Sequence, residues 1–266
     1  KKNLEMIKCF ESSPITTKIP KDKSLDELIN LVDKSLTLEQ YKKFRSKKNY
    51  NFIGEGDNQR WNDCNLNATP EEWLSIYKYS DEYNNFKQAP NRIPQEWVKG
   101  HNVWGSNFKN ILDFGAGPGE PWSIKSIDSN VNLYLLEANL SIANNLKEKY
   151  KWDCDNVHVV TSFQEIKHIK FNYIYSRDVI EHVRNLNEHL DLLYHLGAED
   201  ACYFYKIDGQ PNPVHVLHLH NDTKINDFWQ QFELPKIGIG PSNIQWLNPS
   251  SYDWNAVFTW IRFRKF

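Results

Sequence analysis

Residues 111–119 read Ile-Leu-Asp-Phe-Gly-Ala-Gly-Pro-Gly, an apolar run and an acidic residue followed by glycines at alternate positions. This order is typical of a buried strand that turns tightly into a nucleotide-binding loop. Glycine permits a positive φ and lets the backbone approach a ligand without a Cβ in the way. The stretch therefore predicts a strand, a tight turn and a ligand loop, although a glycine-rich turn alone also fits an ordinary loop.

A second apolar run follows the loop at the distance expected in a β-α-β unit. Residues 131–136 read Val-Asn-Leu-Tyr-Leu-Leu and lead to Glu137, which lies 18 residues beyond Gly119. An acidic residue about that far from the glycine turn is placed to accept hydrogen bonds from ribose hydroxyls. The two segments together predict a ligand that contains a ribose.

A third segment, residues 171–183, reads Phe-Asn-Tyr-Ile-Tyr-Ser-Arg-Asp-Val-Ile-Glu-His-Val. It resembles the fourth-strand segment of small-molecule methyltransferases. The first two segments resemble the glycine loop and the ribose-binding acid of the class I S-adenosylmethionine-dependent methyltransferase family. The resemblance spans about residues 107–266 and implies an α/β, Rossmann-like, seven-stranded, mostly parallel sheet with helices on both faces. An ordinary dinucleotide-binding fold is the competing interpretation. It is disfavoured because three segments match the methyltransferase family in the expected order.

The composition is that of a globular protein with a polar surface. The 266 residues include 10 Trp, 13 Tyr and 14 Phe, and the formal net charge is −2. Nucleic-acid binders usually carry a basic patch, so nucleic acid is not the expected partner. The four cysteines form no C-x-x-C pair, which predicts neither a disulfide framework nor a zinc ribbon. We expect a soluble, cytoplasmic protein that does not enter a membrane, since no long apolar run occurs, and the oligomeric state stays open.

Strand and helix patterns alternate in residues 101–266, which predicts a parallel sheet covered by helices. The predicted strands lie near 111–114, 132–136, 157–161, 172–176 and 202–207. Helices are predicted over 141–150 and 188–196 between them. Two short alternating runs predict a closing hairpin at the sheet edge, at residues 244–247 and 256–263.

Residues 1–100 are predicted to form a helical cap over the open end of the sheet. Ser24 is a predicted N-cap for a helix over 25–32, and a second helix is expected over 38–44. Pro70 after Thr69 indicates a further helix start, because proline is favoured at the first helical position. Aromatic side chains are frequent in this part, which suits an acceptor that carries a ring: Trp61, Trp73, Tyr77, Tyr79 and Tyr83.

The resemblance also implies which residues hold the cofactor, S-adenosyl-L-methionine. Backbone near Gly115 would contact its methionine part, Glu137 would bind both ribose hydroxyls, and Ser162 with Phe163 would flank the adenine. Core packing is an equal alternative for Phe163. All these positions follow the carboxyl ends of strands, where open α/β sheets bind their ligands. The cofactor-binding residues implied are Asp113, Gly115, Ala116, Gly117, Gly119, Glu137, Ala138, Ser162, Phe163 and Arg177.

A hydroxyl acceptor must lose a proton during methyl transfer, which requires a histidine or carboxylate as general base. Asp178 and His182 lie one helical turn apart after the fourth strand, so we expect them to share a face. A structural role is an equal alternative for His182. His218 and His220 alternate with apolar residues and are expected on one face of a strand. The predicted catalytic residues are therefore Asp178, His182, His218 and His220, and no metal site is predicted because the histidine spacing supplies no third ligand.

The predicted activity is methyl transfer to a small polar metabolite, preferably at a hydroxyl, with a sugar-like compound as one candidate acceptor. RNA methylation and a non-catalytic, cofactor-binding partner subunit remain alternatives. Two nucleic-acid subclasses are excluded, because the chain has no (D/N/S)-P-P-(Y/F) motif after strand four and no Pro-Cys dipeptide.

Overall fold

The computed structural model describes residues 23–48, 68–80, 109–117, 130–150, 155–177, 179–208, 245–246 and 258–264. Within these ranges the helices are α1 (Leu25–Val32), α2 (Leu38–Lys48), α3 (Pro70–Tyr79), α4 (Leu140–Tyr150) and α5 (Leu186–Leu196). The strands are β1 (Asn110–Phe114), β2 (Asn132–Leu136), β3 (Val157–Val160), β4 (Phe171–Arg177), β5 (Gly197–Asp208), β6 (Gln245–Trp246) and β7 (Phe258–Arg264). Two short 3₁₀ helices, Phe163–Glu165 and Ile180–His182, follow β3 and β4.

The seven strands form one sheet in the order β3-β2-β1-β4-β5-β7-β6. Strands β1 to β5 are parallel, whereas β7 is antiparallel to both β5 and β6. The connection from β2 to β3 and the connection from β4 to β5 run outward in opposite directions. Right-handed crossovers therefore place α4 and α5 on opposite faces. The predicted seven-stranded, mostly parallel α/β fold is confirmed.

Several element boundaries differ from the predicted ones. Strand β5 begins at Gly197 instead of 202, because α5 ends at Leu196 and leads into the strand without a loop. The pairing of β5 with β4 contains a register shift, which accommodates these additional residues. The two C-terminal runs do pair as antiparallel strands, but β7 lies between β5 and β6, so β6 forms the edge.

Helix α1 contributes side chains to the packing of the sheet. Leu28, Ile29 and Val32 are buried in the same cluster as Leu112 of β1 and Leu190 of α5. Burial of one such side chain stabilises a fold by roughly 1.5–3 kcal/mol. The helix therefore packs on the α5 side of the sheet. The predicted domain boundary at residues 100–101 lies outside the described residues.

Helices α2 and α3 share a second hydrophobic cluster, in which Tyr41 and Ile76 are buried. Thr69 and Glu72 form a reciprocal capping box, which starts α3 where the sequence predicts it. The Tyr79 hydroxyl donates to the carbonyl of Leu36 at 2.9 Å, so this aromatic residue joins the two helices. None of the helices in the described part of the chain is long and apolar enough to span a membrane.

Candidate active site

A cavity of about 610 Å³ opens at the carboxyl ends of β1 to β4. The chain leaves β1 toward β2 on one side, while β4 lies on the other, so the strand order reverses between β1 and β4. Ligands of open α/β sheets bind at such a reversal. The volume lies within the usual range for small-molecule sites. Residues after all four strands line this cavity, together with residues of α3, α4 and α5.

The loop after β1 requires glycine for two separate reasons. Gly115 and Gly117 have φ values of +74° and +53°, a region that residues with a Cβ rarely adopt. A Cβ on Gly115 would also lie 2.2 Å from Cγ2 of Val179, in the segment after β4. The backbone N–H groups of Gly115 and Ala116 donate to the carbonyl of Leu136 at 2.9 and 3.1 Å. The loop is thus held tightly against the ends of both neighbouring strands.

Glu137 lies at the end of β2 with its carboxylate at the glycine loop. Its Oε2 accepts from the backbone N–H of Gly117 at 2.8 Å, and its Oε1 accepts from the N–H of Asn139 at 2.7 Å. Burial raises the pKa of this carboxyl, while the two backbone hydrogen bonds lower it. Each carboxylate oxygen can accept a second hydrogen bond. Glu137 can therefore hold the loop and accept ligand hydroxyls at the same time.

Asn139 joins Glu137 to the N-terminal helix α3. Its side-chain oxygen accepts from the N–H of Ile142 at 3.0 Å and so caps α4. Its side-chain NH₂ group donates to the carbonyls of Tyr77 and Ser80 at 2.8 and 2.9 Å. These hydrogen bonds therefore connect Glu137, the predicted ribose-binding residue, to the end of α3.

The loop after β3 carries Ser162 and Phe163, and both line the cavity. The Phe163 ring is 2 % exposed and its centroid lies 5.5 Å from that of Phe114. The ring therefore packs in the core while it also forms part of the cavity wall, so the two interpretations of this residue are compatible. Asp33 directly follows α1, and its carboxylate accepts from the N–H groups of Phe163 and Gln164 at 3.1 and 3.0 Å.

The segment after β4 forms a short 3₁₀ helix over Ile180–His182. Val183 has φ −89° and ψ 131°, an extended conformation that ends the turn at His182. The next α-helix begins only at Leu186. Asp178 lies outside the described residues, so its relation to His182 stays a prediction.

His182 contacts two aromatic residues of α3. The Trp73 indole Nε1 donates to the carbonyl of His182 at 2.6 Å, and the Tyr77 hydroxyl lies 3.0 Å from His182 Nδ1. The Arg184 guanidinium lies 5.1 Å from the centroid of the Trp73 ring. Because Trp73 is only 2 % exposed, its main role is to hold α3 on this segment. The half-buried Tyr77 and His182 are more accessible to a ligand.

The structure brings eight of the predicted site residues to the cavity wall: Gly115, Gly117, Glu137, Ala138, Ser162, Phe163, Arg177 and His182. Asp113 and Ala116 are buried, at 2 % and 6 % exposure, and are not part of the wall. The remaining predicted residues lie outside the described ranges: Gly119, Asp178, His218 and His220. Among the aromatic residues of the N-terminal part, Trp61 and Tyr83 also lie outside them.

Asp33 and His189 also line the cavity, although no sequence pattern predicted them as site residues. Asp33 has no local signal, since it follows α1 as an ordinary C-terminal residue. His189 lies four residues before Leu193 on α5, and residues at that spacing share a helix face. The position of His189 beside the apolar face of α5 is the one sequence signal that could have identified it as a site residue.

His189 is buried between two phenylalanines. Its ring centroid lies 5.7 Å from that of Phe114 and 6.1 Å from that of Phe163. Burial lowers the pKa of His189 from 6.5 to about 4, although a hydrogen bond to the Asn185 carbonyl and the charge of Glu188 oppose the shift. The imidazole is therefore neutral at physiological pH.

We expect the free energy of unfolding to fall as the pH drops from 6.5 to 4. In this range the unfolded chain binds a proton at His189 and the folded chain does not, whereas above pH 6.5 the imidazole is neutral in both states. At 1.36 kcal/mol per pKa unit the loss is roughly 3 kcal/mol. Urea unfolding between pH 7 and 4 measures it, with His189→Gln as the variant that lacks the loss. His168→Gln, at an exposed position, is the matched control, and the same pH dependence in all three proteins would contradict the assignment.

Several solved methyltransferase structures are similar to this chain. A SAM-dependent methyltransferase from Aquifex aeolicus is similar with a TM-score of 0.49 at 13% identity, over 69% of this chain and 97% of that one. A TehB-like SAM-dependent methyltransferase from Corynebacterium glutamicum gives a TM-score of 0.47 at 15% identity, over 69% and 94% of the two chains. The CurJ carbon methyltransferase gives 0.48 at 12% identity, over 85% and 70%. No curated protein matches the sequence significantly.

A family model described as a methyltransferase domain matches residues 83–233, which is more than half of the chain. The matched range contains the glycine loop, Glu137 and the segment after β4 that carries His182. The strand order and the cavity at the strand reversal agree with the same family. The chain therefore belongs to the methyltransferase domain family and is a class I methyltransferase that depends on S-adenosyl-L-methionine.

Proposed function

We propose that this methyltransferase methylates a hydroxyl group of a small polar metabolite, with a sugar or sugar-like compound as acceptor. The observation that carries the proposal is that one cavity is lined both by Gly117 and Glu137 and by Tyr77 and His182. A cavity of about 610 Å³ suits small molecules. RNA recognition would instead favour an open basic surface, and the net charge of the chain is −2.

The residues of the cavity fit S-adenosyl-L-methionine. A Cβ on Gly117 would meet no atom of the described residues within 4 Å, so the loop backbone at this residue is open to a ligand. The buried Glu137 carboxylate has acceptor capacity for two hydroxyls, and Phe163 supplies an aromatic wall for a planar base. When bound, the cofactor supplies an electrophilic methyl group on a sulfonium sulfur. The contribution of the chain is to orient the acceptor and to remove its proton.

His182 is the group we propose as general base. Its Nδ1 lies 3.0 Å from the Tyr77 hydroxyl. When Nδ1–H donates to the Tyr77 oxygen, the lone pair of the neutral imidazole is on Nε2, which can then receive the proton of the acceptor hydroxyl. Tyr77 is thus proposed as a positioning residue that selects this tautomer. Asp178, His218 and His220 remain predicted catalytic residues in parts of the chain outside the described ranges.

The proposal is tested by binding and then by activity of the purified chain. Calorimetric titration should show micromolar binding of S-adenosylhomocysteine and no binding of NADH. The protein is then incubated with methyl-deuterated S-adenosylmethionine and with separate pools of sugars, phenols, amines and short RNAs. Mass spectrometry should detect a deuterated methyl group in the sugar or phenol pool.

Three results would contradict the proposal. A methylated product in the RNA pool alone would favour an RNA methyltransferase, and a product in the amine pool alone would favour N-methylation. Cofactor binding without methylation of any pool, also in the presence of cell extract as acceptor source, would favour a cofactor-binding partner subunit.

A further inference from the structure

The side-chain amide of Asn139 binds the ends of two helices at once. Its oxygen accepts from the N–H of Ile142 at 3.0 Å, in the first turn of α4. Its NH₂ group donates to the carbonyls of Tyr77 and Ser80 at 2.8 and 2.9 Å, at the end of α3. The first N–H groups and the last carbonyls of a helix have no partner within that helix. A single amide therefore satisfies backbone groups of both kinds.

The partners of Asn139 explain why an amide is needed at this position. A carbonyl only accepts and an N–H only donates, so the amide oxygen faces α4 and the nitrogen faces α3. The cap of α4 needs the oxygen alone, and aspartate or serine would supply one equally well. Asn139 and Ser80 are only 2 % and 3 % exposed, so a carbonyl that lost its donor here would be costly. The two donors of Asn139 thus add a second task, which is to hold the end of α3.

Helix α3 carries the two side chains that contact His182. Trp73 and Tyr77 are four residues apart and share one helix face. The Trp73 indole donates to the His182 carbonyl at 2.6 Å, and the Tyr77 hydroxyl lies 3.0 Å from His182 Nδ1. Tyr79 of the same helix instead bonds to Leu36, in the segment before α2. The place of the Tyr77 hydroxyl beside the imidazole therefore depends on what holds α3 against the sheet.

We propose that Asn139 is a positioning residue for His182, which sets the tautomer of the imidazole through α3 and Tyr77. This inference rests on the role of general base given to His182 under the proposed function. Hydrogen bonds weaken steeply outside a narrow range of distance and angle, so a small shift of α3 would weaken the contact of Tyr77 with Nδ1. The backbone N–H of Asn139 also donates to the Glu137 carboxylate at 2.7 Å. Asn139 thus joins the carboxylate proposed to bind the ribose to the residue proposed to remove the acceptor proton.

Two substitutions separate the hold on α3 from the cap of α4. Asn139→Ser keeps a hydroxyl that can cap α4 and lacks the two donors. Asn139→Asp keeps an acceptor of the same shape and sets a carboxylate oxygen against the two carbonyls of α3. Both variants keep the backbone N–H that Glu137 accepts. We therefore expect both to bind S-adenosylhomocysteine within about threefold of the wild-type affinity.

The test is NMR of the imidazole nitrogens, whose chemical shifts distinguish the two neutral tautomers, at a pH at which the ring is neutral. The spectrum of His182→Asn identifies the signals of His182. In the wild type we expect the Nδ1–H tautomer to predominate. In both Asn139 variants the ratio of Nδ1–H to Nε2–H should fall about two- to tenfold, which is the effect of one hydrogen bond.

Asn110→Ser is the matched control for loss of an amide. The half-buried Asn110 side chain also bonds on both sides, to the Lys170 carbonyl and to the Asn132 side chain, and is not part of the cavity wall. It should leave the tautomer ratio unchanged. An unchanged ratio in both Asn139 variants, or an equal change in Asn110→Ser, would overturn the positioning role.

A measurement on the wild type decides the case even if the variants do not fold. Both NH₂ protons of Asn139 should exchange slowly with solvent, because each is held by a carbonyl in a buried place. Rapid exchange of these protons would overturn the inference. Neither measurement needs an acceptor, so absence of methylation in every pool would overturn the proposed function separately. A predominant Nε2–H tautomer of His182 in the wild type would overturn both this inference and the proposed role of His182.

Discussion

Replacement of His182 by asparagine is expected to lower kcat by about 100-fold or more, which is the usual contribution of a general base. The affinity for S-adenosylhomocysteine should change by less than about threefold, because the proposed task of the imidazole is to remove the acceptor proton and not to bind the cofactor. Asparagine keeps a polar side chain near the Tyr77 hydroxyl, which is 3.0 Å from Nδ1. The rate is measured with the acceptor found in the screen, and the affinity by calorimetry.

Tyr77→Phe separates the positioning role from the base itself. Loss of one hydrogen bond of about 0.5–1.5 kcal/mol corresponds to roughly a two- to tenfold lower kcat. It should also change the pH profile of kcat, which a merely structural contact would not do.

For His182→Asn, the control for loss of a histidine is His168→Asn, at an exposed position. A parallel loss of cofactor affinity and rate in His182→Asn would show that this histidine is structural, and unchanged kcat would transfer the role to Asp178, His218 or His220.

Replacement of Glu137 by alanine is expected to weaken S-adenosylhomocysteine binding at least tenfold while the chain still folds. A charge-assisted hydrogen bond contributes about 1.5–3 kcal/mol, and 1.4 kcal/mol corresponds to a factor of ten in affinity. The change also removes the acceptor of the Gly117 N–H at 2.8 Å, which holds the glycine loop. Calorimetry measures the affinity, and circular dichroism with thermal unfolding reports on the fold.

Glu165→Ala is the matched control for this variant. Glu165 also accepts backbone N–H groups at the end of a strand, from Thr161 and Ser162, but it is not part of the cavity wall. A much smaller loss of affinity in this control would separate contact with the ligand from general support of a loop. Unchanged affinity in Glu137→Ala would refute the assignment of Glu137 as the residue that binds the ribose hydroxyls.

The structure agrees with the sequence-based predictions where the signal is local. The apolar runs before Gly115 and Glu137 form adjacent parallel strands in the predicted order. Ser24 and Thr69 each bind the backbone three residues further along, so the start of α1 and of α3 depends on neighbours in the chain. Such contacts form as soon as the local segment becomes helical, which is why their residue types are visible in the sequence.

The start of β5 and the form of the turn after β4 depend on tertiary contacts, and the start of β5 was predicted five residues too late. A Cβ on Gly197 would lie 1.9 Å from the Tyr203 hydroxyl, so the junction of α5 and β5 is shaped by a side chain further along the strand. The turn that ends at His182 is held by Trp73 and Tyr77 of α3. Periodicity over a short window contains no information about such distant partners.

The sequence by itself determined the family of the fold, the glycine loop and the acid at the end of β2, because strand periodicity, positive φ and loop length are properties of neighbouring residues. Only the tertiary structure decided which other side chains complete the cavity. Asp33 reaches Phe163 across 130 residues of chain, and Tyr77 reaches His182 across 105. Hydrogen bonds over such separations form only when the helices pack on the assembled sheet, so no local pattern of residues records them.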